Sequence, residues 1–398
     1  MSEPLFEAEW NQARECVLNA ARLATRSDVA LPQAHGRVLA QDITALADMP
    51  PFHASRIDGW AVAGPGPWTV VGDSRAGMVS VIELNPGECL HIATGAALPT
   101  GTTACLKDEE SACSDDNIVT AVLGAAGLLN SEGALPDGHD IRPAGYEARA
   151  GEILISRGTR LTPALVGVIA GAGHNTVTVF DQVTVDIVIF GDELLDEGPS
   201  RDGKVRDSLG PQLPLWLDTL GARTLSVTRV EDALEAHVAA IAASRADLII
   251  TTGGTAAGPV DHLHQAIVEC DGELLIDAVL VRPGYHQLFA SLPQRHLIGL
   301  PGNPQSAVIG LLSLADTFIR GCYGQGLRPL AQRTITQAAK APQRELKFVL
   351  CRETVAGVEP VEHVDSSMLR GFVEADGYAL VPAGGVAAGT HVQWLPLP

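Results

Sequence analysis

The chain has 398 residues, of which 46% are hydrophobic and 19% charged, and its formal net charge is −20. This length exceeds one ordinary hydrophobic core and indicates a globular protein of roughly two to four domains. The acidic balance excludes a nucleic-acid partner, because phosphate backbones are bound by clustered Lys and Arg. An anionic ligand would need a local binding site that overcomes the negative electrostatic potential of the whole protein.

The cysteines and apolar runs indicate the compartment. The 7 cysteines form no CxxC pair, and scattered thiols are typical of a cytoplasmic enzyme rather than of a disulfide framework or a zinc site. The segment MSEPLFEAEW lacks the order of a signal peptide. No apolar run reaches the roughly 18 residues that a membrane helix needs. We therefore expect a soluble, cytoplasmic protein without a membrane partner.

In chain order, the first predicted element is an amphipathic helix over residues 6–24. Its apolar residues, spaced three or four apart, are Phe6, Trp10, Ala13, Val17 and Ala21. Residues 44–140 consist of short apolar runs separated by Gly, Pro and Asp, which predicts a small β domain. The run LTPALVGVIAGAG (161–173) then predicts another helix.

Between residues 183 and 323 the pattern alternates between two periods. Strand-like runs at 183–190, 224–228, 247–252 and 296–300 alternate with helical runs at 212–221, 231–244 and 303–319. This alternation predicts a doubly wound α/β domain, with a parallel sheet covered on both faces. Residues 326–398 return to short strands between turns and predict a second β domain.

Three motifs fall where the predicted strands end, which is the edge at which open α/β sheets bind ligands. They are GDEL (191–194), TTGGTAAGPVD (251–261) and LPGNP (300–304), in which Asn303 is expected to cap the next helix and Pro304 suits its first turn. Glycine-rich turns and helix N-termini expose N–H groups that hold phosphate without lysine. One such motif is more often only a tight turn, but three at one edge favour a phosphate-bearing ligand.

Carboxylates at the same edge suit Mg²⁺, which takes few protein oxygens and shares its other positions with phosphate and water. Asp192, Glu193, Asp232 and Asp261 are the candidates. Helix capping is an equally open interpretation for Asp192 and Asp232. For Asp261, directly after the glycine loop, we favour a ligand.

Taken in order, these segments resemble the MoeA/gephyrin E-domain family of molybdopterin molybdenumtransferases. Residues 51–61 match its P-F-x-x-S-x-x-D-G-[YW]-A segment, and 94–99 match T-G-A-x-x-P. Residues 253–261 match G-G-x-x-x-G-x-x-D, and 300–306 match L-P-G-N-P-x-S. A serine-bearing loop of the family's last domain resembles 365–369.

The resemblance implies four domains: an elongated first domain (1–43 and 141–180), an inserted β domain (44–140), a MogA-like molybdopterin-binding α/β domain (181–325) and a C-terminal β-barrel-like domain (326–398). It implies a homodimer with a site shared between subunits. The implied reaction inserts molybdate into adenylylated molybdopterin, requires Mg²⁺ and releases AMP. A MogA-type adenylyltransferase is the protein partner that it suggests.

The resemblance also implies site residues, position by position. The expected catalytic residues are Asp58, Thr94, Glu193, Asp232, Asp261 and Arg282, with Asp232 and Asp261 as metal ligands. The expected residues for binding the pterin substrate or molybdate are Gly253, Gly254, Thr255, Gly258, Pro301, Gly302, Asn303, Pro304, Ser306 and Ser366.

The chain departs from the family at several of these segments. Where the family commonly has K-P-G-K-P, this chain has R-P-G-Y-H, so Arg282 keeps one cation and Tyr285 loses the other. Ala256 replaces the serine of G-G-V-S. A catalytically altered paralogue that binds or carries molybdopterin therefore stays open beside the transferase. An adenylyltransferase or pyrophosphatase of MogA type is disfavoured, because its extra β domains would have no role.

Overall fold

The computed structural model describes residues 4–75, 77–78, 81–256 and 262–398. Two expected site residues, Gly258 and Asp261, lie outside these ranges. The chain divides into two compact units, one formed by residues up to Ser27, Gly36–Ala40 and Val179–Pro398, the other by Asp28–His35 and Gln41–Thr178. Within the described ranges, no helix is long and apolar enough to cross a membrane.

The elements have the following bounds. The strands are β1 (Leu5–Ala8), β2 (Arg26–Ala30), β3 (Ile43–Thr44), β4 (Ala54–Ser55), β5 (Gly59–Val62), β6 (Trp68–Ser74), β7 (Glu88–Ile92), β8 (Ala104–Lys107), β9 (Ser111–Cys113), β10 (Ile118–Ala121), β11 (Ile141–Arg142), β12 (Ile153–Ile155), β13 (Thr176–Phe180), β14 (Thr184–Phe190), β15 (Leu194–Leu195), β16 (Val205–Arg206), β17 (Arg223–Val230), β18 (Leu248–Thr252), β19 (Glu273–Val279), β20 (Val281–Arg282), β21 (Leu288–Ser291), β22 (His296–Leu300), β23 (Ala331–Thr334), β24 (Leu346–Thr354), β25 (Gly357–Pro360), β26 (Gly377–Val381) and β27 (His391–Pro396). The helices are α1 (Trp10–Ala20), α2 (Leu123–Ala126), α3 (Pro163–Gly171), α4 (Leu209–Leu220), α5 (Leu234–Ala243), α6 (Leu263–Glu269), α7 (Pro304–Gly310) and α8 (Asp316–Cys322), with 3-10 turns at Leu31–Gln33, Asp108–Glu110 and Arg370–Val373.

The first unit is built on a seven-stranded sheet in the order β1-β19-β21-β22-β18-β14-β17. Strands β22, β18, β14 and β17 run parallel, and every residue of β18 is buried because helices cover both faces. The predicted α/β architecture is confirmed. The predicted parallel pairing is confirmed for these four strands, whereas β21, which the sequence did not predict, runs antiparallel to both β19 and β22.

The helix predicted over residues 6–24 was wrong at both ends, since α1 spans only Trp10–Ala20. Leu5–Ala8 is a strand that pairs in parallel with β19, and Phe6 stays 68% exposed. Helix α1 begins at Trp10, whose indole Nε1 donates to Ser313 Oγ at 2.8 Å. The apolar spacing alone did not distinguish a sheet-edge strand from a further helical turn, because the pairing partner lies far away in the sequence.

The helices at the sheet's carboxyl edge begin and end near their predicted positions. Gly221, with φ of 95°, ends α4 in the left-handed conformation that glycine adopts at little cost. Pro304 occupies the first turn of α7, and a π-helical segment, Leu311–Ala315, joins α7 to α8. Asn303 occupies the N-cap position, but its side chain makes no capping hydrogen bond.

The C-terminal residues of the first unit form a six-stranded sheet in which β20-β24-β26-β27-β23 are neighbours and β25 pairs with β24. The predicted second β domain is therefore confirmed as β structure. Strand β20 comes from the loop before β21 and pairs in parallel with β24, with Arg282 opposite Lys347. This pairing places the R-P-G-Y-H loop against the C-terminal sheet.

The second unit contains a six-stranded sheet in the order β8-β5-β7-β6-β10-β9. Trp68 is 1% exposed at its core, and its indole Nε1 donates to the Gly64 carbonyl at 3.0 Å. Short strand pairs, β11 with β4 and β12 with β3, lie outside the sheet. The β structure predicted for this region is confirmed, whereas the four domain boundaries stay a prediction.

Candidate functional site

Two glycine-rich loops meet at the carboxyl edge of the seven-stranded sheet. The Gly253 N–H donates to the Leu300 carbonyl at 3.0 Å, and a Cβ added to Gly302 would lie 3.8 Å from Gly253 Cα. Gly253 and Gly254 both have positive φ, at 83° and 64°, so any other residue type would be strained there. The structure thus brings Gly253–Thr255 together with the Pro301–Pro304 segment.

Two carboxylates extend this edge beyond β14 and β17. Asp232 Oδ2 accepts from the Asp192 N–H at 3.2 Å, and Asp192 Oδ1 accepts from the Asp232 N–H at 3.4 Å. Helix α5 has Ala233 as its N-cap residue, so these bonds connect two loops instead of capping a helix. The neighbouring Glu193 carboxylate is exposed to solvent.

The donor set at this position suits Mg²⁺, because that ion is commonly held by one or two carboxylates while phosphates and water complete its octahedron. Asp192 and Asp232 supply two carboxylates on adjacent loops. Among the residues that the structure describes, no group of three or more His, Cys, Asp or Glu side chains forms a complete protein cage for a metal.

A buried histidine lies beneath the carboxylates. His237 is fully buried and its ring stacks on Phe190 at 3.6 Å, with Nε2 4.0 Å from Asp232 Oδ1. Neither ring nitrogen has a hydrogen-bond partner among the described residues. Burial lowers the pKa of His237, and the Asp232 carboxylate opposes this effect. Sequence analysis missed this residue, although its helical spacing from Leu234 and Ile241 indicates a core-facing position.

A second part of the edge is a cavity of about 510 Å³. Arg282, Ser306 and Ser366 all line it, so the structure brings these three predicted residues together. The Arg282 guanidinium donates through Nε to Glu345 at 2.9 Å and is 56% exposed. Glu345 is the one carboxylate within the described part of the chain that forms an ion pair with Arg282.

Tyr285, which replaces a lysine of the family pattern, does not act as a charged group. Its hydroxyl donates to Glu7 Oε1 at 2.6 Å. This hydrogen bond, with burial and the negative charge of Glu7, raises the pKa of Tyr285 to about 12. The side chain is therefore a neutral phenol at physiological pH.

A lysine that sequence analysis missed enters the same cavity from the C-terminal sheet. Lys347 lines the cavity and lies opposite Arg282 in the β20–β24 pair. Its ammonium donates to the Lys340 carbonyl at 3.0 Å, which leaves further N–H donors for a ligand. No local motif marks this lysine, because only the strand pairing brings it to Arg282.

The two remaining predicted residues meet in the second unit. Asp58 Oδ1 accepts from the Thr94 N–H at 2.7 Å, and both residues are exposed. Gly59 has φ of 149°, and a Cβ there would clash with the Leu106 carbonyl oxygen. Glycine at position 59 thus lets the backbone of β5 approach β8 closely, next to the solvent-exposed Asp58.

Comparison with known proteins gives a consistent assignment along the chain. Three family models match it: "MoeA N-terminal region (domain I and II)" at residues 8–173, "Probable molybdopterin binding domain" at 186–320, and "MoeA C-terminal region (domain IV)" at 335–397. A molybdopterin molybdenumtransferase of Haemophilus influenzae is 30% identical over 324 residues, covering 79% of this chain and 78% of the relative. One of Bacillus subtilis is 28% identical over 390 residues, covering 92% and 89%.

A solved structure shares the fold. The crystal structure of the molybdopterin biosynthesis MoeA protein from Pyrococcus horikosii matches with a TM-score of 0.79 at 23% identity, covering 98% of this chain and 99% of that one. The match extends over both units and the C-terminal sheet.

Proposed function

Because this chain belongs to the MoeA family of molybdopterin molybdenumtransferases, we propose that it inserts molybdate into adenylylated molybdopterin and releases AMP in an Mg²⁺-dependent reaction. The protein is a transferase of molybdenum cofactor biosynthesis. The observation that carries the proposal is the arrangement along one sheet edge: glycine loops, paired carboxylates and a cavity with two cations.

The glycine loops and the carboxylates suit the phosphate portion of the substrate. Backbone N–H groups of Gly254 and Thr255 would hold phosphate oxygens. Asp192 and Asp232 would hold Mg²⁺, which when bound neutralises charge on the phosphates. Binding at this edge fixes the position of the rest of the substrate, and positioning is a major source of catalysis when no covalent nucleophile is needed.

The cavity suits the oxyanion. Arg282 and Lys347 provide positive charge, and Ser306 and Ser366 provide short polar side chains. Charge-assisted hydrogen bonds from guanidinium and ammonium groups are the strongest that a protein offers to an oxyanion. Together they provide the local attraction that a chain of net charge −20 needs.

The proposed assembly is a homodimer in which the Asp58–Thr94 pair of one subunit completes the site of the other. The support is the exposure of this pair together with the family resemblance. Sedimentation at micromolar concentration should give the mass of a dimer, whereas a stable monomer would contradict the shared site. An adenylylated substrate also calls for an adenylyltransferase that acts beforehand, and we propose one of MogA type.

The reaction is tested with purified protein, adenylylated molybdopterin, Mg²⁺ and molybdate. We expect AMP release that depends on molybdate, and a product that activates an apo-molybdoenzyme. The alternative, a carrier paralogue, is favoured by one observation: Tyr285 donates to Glu7 at a position where the family resemblance leads us to expect a lysine. Tight pterin binding without molybdate-dependent AMP release would establish the carrier and refute the transferase.

A further inference from the structure

A second cavity lies at the opposite edge of the seven-stranded sheet. It has a volume of about 220 Å³ and is bordered by the segments that precede β14 and β18, by the β21–β22 turn and by the residues that follow α1. Backbone hydrogen bonds fix this frame: Asp181 N–H donates to Thr25 at 2.8 Å, and His296 N–H donates to Asp247 at 3.2 Å. The proposed reaction uses none of these residues.

Both carboxylates in the cavity wall already have hydrogen-bond donors. Asp181 accepts from the hydroxyls of Thr25 and Ser27, each at 2.6 Å. Asp247 Oδ2 accepts from the Thr184 N–H at 2.8 Å and from its hydroxyl at 2.6 Å. Asp181 also forms an ion pair with Arg37 at 3.7 Å. Because hydroxyl groups, a backbone N–H and Arg37 satisfy the two carboxylates, the arginines that line the cavity are not needed for this.

The guanidiniums of Arg22 and Arg295 line the same cavity. Within the described ranges, neither forms an ion pair with a carboxylate at 4.0 Å or less. Nη1 of Arg295 is shielded from solvent and has no hydrogen-bond partner there. A buried donor left without a partner is costly, and in native proteins such a group usually indicates a bound water or ion.

We propose that this cavity binds a small phosphate-type oxyanion between Arg22 and Arg295, as a site separate from the carboxyl edge. A guanidinium fork matches the oxygens of phosphate and carboxylate, and charge-assisted hydrogen bonds from the solvent-facing nitrogens of the two side chains would hold the ion. The cavity is smaller than the roughly 300–1,000 Å³ of pockets for drug-sized ligands. It therefore suits inorganic phosphate or a compact phosphate monoester rather than a pterin nucleotide.

Calorimetric titration of the full-length protein with inorganic phosphate, at constant ionic strength in chloride, tests the proposal. We expect saturable binding that Arg295→Gln weakens about ten- to a hundredfold, the usual loss for a charged hydrogen bond. Arg245→Gln is the matched control, because Arg245 is exposed, lies just before Asp247 and does not line the cavity. This control should bind phosphate like the wild type.

Two further variants separate this site from the proposed reaction. Arg282→Gln should keep this phosphate binding, and Arg295→Gln should keep wild-type AMP release. If Arg295→Gln fails to fold, Arg22→Gln replaces it, since Arg22 is exposed. Absent phosphate binding in the wild type, or binding lost in Arg282→Gln and kept in Arg295→Gln, would overturn the proposal and leave the transferase function unaffected.

Discussion

The two edges of the seven-stranded sheet use charge in opposite ways. At the carboxyl edge, the carboxylates of Asp192 and Asp232 each accept from the other residue's backbone N–H and keep further lone pairs for a cation. At the amino edge, hydroxyl and N–H donors satisfy Asp181 and Asp247, while Arg22 and Arg295 remain available to an anion. Both edges belong to one sheet, so the difference arises from the loops that the strands carry.

This comparison explains how a chain with net charge −20 binds anions at all. Screening by salt limits the interaction between exposed charges to about 10 Å at 0.1 M. The attraction felt by a bound ligand therefore depends on the nearby charged groups, and on whether other residues already pair with them, more than on the total charge. At the carboxyl edge, Arg282 and Lys347 provide the positive charge, and backbone N–H groups provide further hydrogen-bond donors.

The largest effect is expected at the carboxylate pair. Asp232→Ala should lower kcat/KM for AMP release about a hundredfold, equivalent to about 3 kcal/mol for a lost contact to a charged group, and should raise the Mg²⁺ concentration needed for half-maximal activity. Glu235→Ala is the control, since it removes an exposed carboxylate from the same helix start. An unchanged Mg²⁺ dependence in Asp232→Ala would show that Asp232 only connects two loops.

A smaller effect is expected in the oxyanion cavity. Lys347→Met should raise KM for molybdate about tenfold, because Arg282 stays in place and one charged contact of about 1.5 kcal/mol is lost. Lys340→Met is the control, because it removes the same charge nearby and keeps the backbone carbonyl to which Lys347 donates. If both variants behaved alike, general electrostatics rather than a direct contact would explain the effect.

Secondary-structure elements that are buried could be predicted from the sequence, whereas contacts that arise from strand pairing could not. The apolar runs of β14 and β18 are buried along nearly their whole length, so their hydrophobicity alone identified them. Lys347 reaches Arg282 only through the β20–β24 pair, and Phe6 belongs to a strand whose partner is β19. Neither pairing has a local signal in the sequence.

For the same reason, the sequence predicts the site at the carboxyl edge of the sheet better than the cavity at the amino edge. Glycine, proline and asparagine at the carboxyl edge are required by turn geometry and helix starts, so they form motifs that can be found in a sequence. Arg22 and Arg295 lie in ordinary surface-like segments, and only the fold brings them to one cavity. The reciprocal bonds of Asp192 and Asp232 are likewise a product of the fold.

A stability measurement tests the role of His237, the buried histidine beneath the carboxylates of the carboxyl edge. His237→Phe should keep the free energy of unfolding within about 1 kcal/mol of wild type, because an apolar ring replaces two nitrogens that have no hydrogen-bond partner among the residues that the structure describes. His237→Ala should lower it by about 2–4 kcal/mol, since it leaves a cavity against Phe190. Equal losses in the two variants, measured by urea denaturation, would mean that the nitrogens have stabilising partners.

The smallest effect concerns pH at the amino edge. Burial lowers the pKa of His296 below its ordinary value of 6.5, and the Arg22 cation lowers it further. The unfolded chain thus binds this proton more readily, so the stability that the neutral ring contributes is present above pH 6.5 and is lost as pH falls through the lower, folded-state pKa.

The ring of His296 stacks on Phe289 at 5.4 Å, and Phe318 lies nearby at 5.1 Å, so His296→Phe should fit. We expect that variant to lose less unfolding free energy than wild type between about pH 6.5 and pH 5, measured by urea denaturation in phosphate-free buffer. His35→Gln, at an exposed position, should retain the wild-type slope, and an unchanged slope in His296→Phe would assign the acid sensitivity to other groups.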